Sequence, residues 1–407
     1  MVNCRGCHEH LSLVFLDLGT SPIANDLISK ENSQKPEVFY PLRVMTCGEC
    51  ALVQLPEIAS REDLFRSDYV YFSSYSTTWL EHSRMYAEKM SRLLNLSSHD
   101  LVVEVASNDG YLLQYFAETG VQVLGIEPSA GVADVAIQKG IPTIVEFFGS
   151  DLANNLATEK KPKLLLGNNV LAHVPDLHDF IRGFSILMAD EALITFEFPH
   201  LINLIRNNQF DTVYHEHFSY LSVMSLSPIF ETYGLRVVDI EKLETHGGSL
   251  RIFVAKENSS WRVEDSVQEV LNEELDWDPR KQAIWQSLQE RTLRLKLELL
   301  SELIHCRQKG LRVAAYGAAA KGNTLLNYCG IDSDLIEYVV DLNPHKQGNL
   351  LPGSRIPVVN IEHLVNDIPD VLLLLPWNLA DEVKAQLVAF TDRGMKLLRA
   401  VPNLEYF

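Results

Sequence analysis

Basic residues are in short supply: 35 lysines and arginines face 54 aspartates and glutamates, a net charge of −19 over 407 residues. That balance opposes the phosphate neutralisation on which non-specific nucleic-acid binding depends, so no nucleic-acid partner is expected and a small substrate is. A phosphorylated ligand stays open, because a few basic groups or helix N-termini can hold one locally. Long apolar runs are missing too. No stretch reaches the ~18 residues of a membrane-spanning helix, and no apolar segment of a secretory signal follows the polar start with Cys4, Arg5, Cys7 and His8. The expectation is a cytoplasmic chain with no membrane partner. Its length and 46% hydrophobic content suit two or three domains, each with a core.

Cysteine is sparse, six in all, yet four fall as Cys4-x2-Cys7 and Cys47-x2-Cys50. Two such knuckles place four thiolates around a tetrahedral Zn²⁺, and a region without long apolar runs gains folding free energy from the metal. Four cysteine ligands leave no vacancy for substrate or water, so the site is expected to be structural. Reduced thiols or a redox pair are the alternatives. Cys306 and Cys329 lack such a pattern and read as ordinary buried residues.

Residues 1 to about 75 read as loop-rich, with turn residues as in DLGTSPIAND (Asp17 to Asp26). From Trp79 to Leu94 apolar residues recur at helical spacing, and LVVEVASNDG (Leu101 to Gly110) reads as a buried strand ending in a polar turn. Further strands are expected at Val121 to Ser129, Lys163 to Asp176 and Ala192 to His200, with helices between, an alternating α/β pattern. Residues 279 to 309 read as one long amphipathic helix linking domains, bounded by Pro279 and Gly310. Beyond it, Leu311 to Gly330, Ile336 to Asp341 and Asp370 to Pro376 repeat the strand, turn and helix order of a second Rossmann-like unit. No low-complexity tract or short-period repeat occurs.

GxGxxG is absent from the turn after the first central strand, which instead carries Glu104, Ser107, Asn108, Asp109 and Gly110. Open α/β sheets bind ligands at the carboxyl ends of their strands. This acidic turn would repel a pyrophosphate and would suit an adenosyl ligand bearing a sulfonium and an ammonium. Glu127, ending the second strand, could accept hydrogen bonds from both ribose hydroxyls. Carboxylates at strand ends also merely cap turns.

Six segments in order, CRGC…CGEC, YVYFSSYSTTWLEHS (Tyr69 to Ser83), VEVASNDGYLL (Val103 to Leu113), NNVLAHVPD (Asn168 to Asp176), YHEHFSYLS (Tyr214 to Ser222) and THGGSLR (Thr245 to Arg251), resemble the S-adenosylmethionine-dependent C-methyltransferases of nucleotide-linked deoxysugars. The resemblance covers essentially the whole chain. It implies an α/β protein with a zinc-binding N-terminal domain (1–75), a Rossmann-like class I methyltransferase domain (76–278), a linker helix (279–310) and a C-terminal Rossmann-like domain (311–407) that contributes to nucleotide-sugar binding. S-adenosyl-L-methionine would be held by the 104–110 turn, Glu127, Asn168 and Asn169.

The implied substrate is a nucleoside-diphosphate 4-keto-6-deoxysugar, methylated on the carbon beside the ketone. Such carbon becomes nucleophilic only after a base removes its proton and a donor holds the enolate oxygen. His217 is expected as the base, because a neutral imidazole takes a proton near neutral pH. Glu216 would orient it or touch the sugar, and Tyr214 would hydrogen-bond the keto oxygen. His173 would approach the same carbon, and Tyr75 resembles the family's other active-site tyrosine. His215 is left without a distinct role. The alternatives are histidines that only satisfy backbone groups, or a catalytic metal on His173, His215, Glu216 and His217, although no HExxH spacing occurs.

YGAAAKGNT (Tyr316 to Thr324) is not a Walker A loop, since Lys321 precedes Gly322. Its backbone N–H groups and Lys321 could still hold a diphosphate, with Asn323 beside them and His246 of THGGSLR as a further substrate contact; a tight turn with a surface lysine is the alternative. An O- or N-methyltransferase on a similar sugar, and a noncatalytic zinc-stabilised binding protein, are the competing readings. A monomer is compatible with three packed domains.

Overall fold

The computed structural model describes residues 2–58, 73–158 and 160–407, and among them three sheets organise the chain. Near the N-terminus β1 (Leu13–Ser21), β2 (Tyr40–Thr46) and β3 (Val53–Gln54) form an antiparallel sheet completed by a distant strand, β9 (Ser219–Tyr220). The Asp17–Asp26 stretch that reads as turns therefore begins inside a strand. Gly19, at φ +77, stands in an irregularity of the β1–β2 register between Asp17 and Thr20, where an extra residue is accommodated.

The central sheet follows the expected alternation. Its strands are β4 (Leu101–Val105), β5 (Gln122–Ile126), β6 (Thr143–Ile144), β7 (Leu164–Asn168) and β8 (Leu193–Pro199), joined by the hairpin β10 (Leu235–Leu243) and β11 (Ser249–Lys256). The order is β10-β11-β8-β7-β4-β5-β6, with β11 antiparallel to both neighbours and the other pairs parallel. Strands buried on both faces need apolar runs; β4 and β7 supply them, and Glu104 is the charged exception. The preceding helix, Thr77–Leu93, starts where the Ser76 side chain accepts the Trp79 N–H at 3.2 Å.

The third sheet runs β14 (Val358–Val359), β13 (Val339–Val340), β12 (Val313–Tyr316), β15 (Val371–Leu374), β16 (Lys396–Arg399), β17 (Glu405–Tyr406), parallel except for β17. The long helix spans Gln282–Gln308 and is more than a connector. Its buried stripe Leu288, Thr292, Leu295, Leu299, Leu303 and Cys306 repeats at helical spacing, and its apolar members share one core with Phe15 and Val44 of the first sheet and Val313 and Val339 of the third. The ends of the chain are thus locked around the middle.

Candidate active site

The N-terminal cysteines come together first. The Sγ atoms of Cys4, Cys7, Cys47 and Cys50 all lie within 4.8 Å of one another, with Cys4 to Cys50 at 3.5 Å and Cys7 to Cys47 at 3.4 Å. Zinc–sulfur bonds of about 2.3 Å in a tetrahedron need sulfur separations close to that, so the residues fit a structural Zn²⁺. Gly6 N–H and Gln54 Nε2 point at Cys4 Sγ, at 3.3 and 3.1 Å, and favour its thiolate form.

At the carboxyl end of β4 the chain turns through Ala106 (φ +58), Asn108 (φ +50) and Gly110 (φ +76). Glu127 ties this turn to the end of β5: its carboxylate accepts Asn108 N–H at 3.1 Å and Ser129 N–H at 2.9 Å. Both oxygens expected for a ribose are therefore already used once, and each keeps a second lone pair. Asn108 Oδ1 accepts Ser73 N–H, while Lys139 bonds Asp109 through Oδ2 and the peptide oxygen. Left over are buried polar atoms that the fold does not satisfy: Ser107 Oγ, Asp109 Oδ1 and Asn169 Oδ1 have no hydrogen-bond partner, and the Glu104 and Asn168 oxygens meet the Tyr111 hydroxyl without good hydrogen-bond geometry. Burial, with Glu127 and Asp109 nearby, pushes the Glu104 carboxyl well above its ordinary range. Buried polar atoms without partners are rare in a finished fold, so this crevice is complementary to a polar, cationic ligand and fits S-adenosylmethionine.

A second cluster faces it from the loops after β7, between β8 and β9, and between β10 and β11. His217 Nδ1–H donates to Thr212 O at 2.8 Å, which leaves Nε2 unprotonated. His173 Nδ1–H donates to the peptide oxygen of Glu216 at 2.7 Å, fixing the same tautomer. The two imidazole centroids are 4.7 Å apart, and the Tyr214 ring lies 3.9 Å from that of His217. Burial drives the pKa of His217 well below its ordinary value, with His173 adding to it, and burial sets His173 at about 4. Both are held neutral at physiological pH.

Glu216 departs from the orienting role expected of it. Its Oε1 accepts N–H and Nδ2–H of Asn25, at 3.2 and 3.0 Å, so it faces the N-terminal segment, and His217 is oriented by a peptide oxygen instead. His215 donates to Pro41 O at 3.2 Å and packs edge-on against Tyr40, a packing role. Neither lends a ligand atom to a shared point with His173 and His217; among the described residues the Cys4–Cys50 group alone does so. Tyr75 ends the short helix Ser73–Tyr75, and its side chain lies outside the described residues.

Lys321 donates to Asn378 Oδ1 at 2.8 Å and sits over the Trp377 ring, 4.9 Å from its centroid. It is close enough to His217 and His246 to lower both. His246 has left-handed backbone, φ +53, and accepts Asn169 Nδ2–H at Nε2, 3.2 Å, so its proton is on Nδ1. Asn323 turns away: its amide holds Ala24 O at 2.9 Å and braces two units. Several contributors escaped the sequence reading. Trp377 donates to the buried Asp211 at 2.6 Å, and burial pushes that carboxyl up to about 6. Trp377 and Asn378 follow β15, and the strand-end rule applied to DVLLLLPWN would have found them. Glu197, the one acid in LITFEFP, takes Thr245 Oγ1 at 2.9 Å, His82 at 2.9 Å and Arg251 at 2.7 Å, and so anchors the His246 loop.

Comparison with known proteins gives the family. Three family models match: "Putative zinc binding domain" over residues 4–65, "Methyltransferase domain" over 79–240 and "C-methyltransferase C-terminal domain" over 244–402. The C-methyltransferase NovU of Streptomyces niveus is 35% identical over 401 residues, 98% of this chain and 95% of that protein. Among solved structures, an S-adenosylmethionine-dependent methyltransferase from Clostridium acetobutylicum is 14% identical, covers 48% of this chain and 95% of its own, and has a TM-score of 0.36. A SAM-dependent methyltransferase from Archaeoglobus fulgidus, also 14% identical, covers 43% and 94% with a TM-score of 0.35. At such scores neither adds to the family assignment.

Proposed function

The chain belongs to the S-adenosylmethionine-dependent C-methyltransferases, and from that premise we propose that it methylates C3 of a nucleoside-diphosphate 4-keto-6-deoxysugar through an enolate. The observation that carries the reading is His217: its Nδ1–H is committed to Thr212 O, so Nε2 presents a lone pair beside Tyr214 and His173 in a partly open cleft. Nε2 takes the proton from the carbon next to the ketone, and the electron pair moves into the C–C bond as the carbonyl oxygen gains charge. The Tyr214 hydroxyl and the nearby Lys321 stabilise that oxygen electrostatically. S-adenosylmethionine, when bound, supplies the electrophilic methyl on its sulfonium. Beside these uncharged imidazoles, Lys321 supplies a cation close to His217 and His246, which suits a phosphorylated sugar.

The test is the position of the new methyl. Product formed from a nucleoside-diphosphate 4-keto-6-deoxysugar and S-adenosylmethionine, fragmented by mass spectrometry and assigned by NMR, is expected to carry the methyl on C3. A methyl on oxygen or nitrogen would overturn the enolate.

A further inference from the structure

Arg5 stands inside the first zinc knuckle, between Cys4 and Cys7, yet its side chain leaves the metal site and reaches the loops that carry His173 and His217. Nε donates to Pro175 O at 3.2 Å, Nη2 to Leu55 O at 3.0 Å and Nη1 to Phe218 O, with the guanidinium over the Phe218 ring. Pro175 lies two residues after His173, and Phe218 directly follows His217. These two loops also meet each other there, since Phe218 N–H donates to Ala172 O at 2.7 Å. On the metal side, Gln54 accepts Arg5 N–H at 3.0 Å and donates to Cys4 Sγ at 3.1 Å, and β3, which contains Gln54, pairs with β9 just past His217.

A half-buried cation whose side-chain donors all go to peptide oxygens is unusual, because a charge drawn away from water is costly without a counter-charge. The acidic groups near Arg5 are Glu57, Cys4 and Tyr220. A Zn²⁺ ion held by four thiolates leaves the knuckle with a net negative charge at the root of this side chain, so the metal-loaded knuckle and the guanidinium stabilise each other.

We propose that Arg5 is a positioning residue, clamping the His173 and His217 loops at a fixed separation and tying that separation to the zinc knuckle. The proposal rests on the reading of His217 as the base. Proton abstraction from carbon depends steeply on placement, and a displacement of about 1 Å costs on the order of 10²-fold in rate. Three different nitrogens of the planar guanidinium each meet one carbonyl; an ammonium has three donors on a single atom and cannot span acceptors spaced around that fork.

The full chain carrying Arg5→Lys or Arg5→Ala tests this. Four quantities are read: zinc content, S-adenosylmethionine affinity, the rate of deuterium uptake into the nucleotide sugar in D₂O with S-adenosylhomocysteine bound, and the ring C–H NMR resonances of His173 and His217 without substrate. We expect zinc and cofactor affinity to hold, both histidine resonances to move, and deuterium uptake to fall roughly 10²-fold, with partial recovery of Arg5→Ala in millimolar guanidinium. Resonances and uptake unchanged in Arg5→Lys would overturn the proposal. So would a loss of uptake that tracks loss of zinc and thermal midpoint with no recovery by guanidinium, which would make Arg5 a folding residue only. Should the wild-type chain take up no deuterium, the base assignment fails, and the histidine resonances alone decide on Arg5.

Discussion

In the crevice at the end of β4 burial acts on acids, and in the cluster around His217, the proposed substrate cleft, it acts on bases. At the end of β4 it lifts the Glu104 carboxyl, which the neighbouring Tyr111 only partly offsets. Across the gap it depresses His173, His217 and His246 and lowers Lys321, which Asp211 partly restores. One physical term, the cost of a charge away from water, thus prepares two opposite surfaces. In the crevice a cation beside Glu104 would favour its ionised form. The cleft keeps its imidazoles uncharged, and an uncharged imidazole is the form that accepts a proton.

The comparison breaks most severely at His217. His217→Ala is expected to lower turnover and deuterium uptake by about 10² to 10⁴-fold while cofactor affinity is kept; calorimetric titration alongside the rate assay checks both, and a near-normal rate removes His217 from the role of base. Removing zinc comes next. Because β9 belongs to the zinc unit's sheet, chelation is expected to lower the thermal midpoint and, through displaced cleft loops, to cut uptake by roughly 10²-fold. Metal release with neither change contradicts a structural ion.

On the acidic side, Glu104→Gln keeps the shape and removes the charge. It is expected to weaken S-adenosylmethionine by about tenfold or more, and S-adenosylhomocysteine, which lacks the sulfonium, by less; equal weakening of the two would show that the charge is not sensed. The smallest effect is on pH. A raised Glu104 is protonated in the free crevice above the usual carboxyl range, and a bound cation favours its ionised form. Affinity therefore rises with pH through the free-enzyme pKa, and a proton is released on binding, measurable by calorimetry in buffers of different ionisation heat. In the cleft the signs reverse: the acid limb of kcat/KM is expected below the ordinary histidine value near 6.5, because His217 and His173 stay neutral to lower pH.

The parts of this picture set by short-range pattern were legible in the sequence. Each CxxC spacing marks a pair of metal-ligating thiolates, and the buried β4 run announces an acidic turn at its end. What escaped depends on distant pairing. β9 is two residues long and joins a sheet formed more than 160 residues earlier, with no periodicity to betray it. The partner of His217 is a peptide oxygen, invisible in residue identity, so Glu216 looked like the orienter although its carboxylate faces Asn25. Trp377 reaches Asp211 from the third sheet, and the Asp17–Ser21 strand hid behind turn residues that serve a bulge.

The central claim is that a neutral His217 removes a proton from carbon before any methyl moves. Incubation of the wild-type chain in D₂O with S-adenosylhomocysteine and a nucleoside-diphosphate 4-keto-6-deoxysugar, followed by mass spectrometry of the recovered sugar, measures that step alone. The account predicts one deuterium at C3 with the wild-type chain and none above background with His217→Ala. A sugar recovered without deuterium from wild-type protein that still forms methylated product would contradict it.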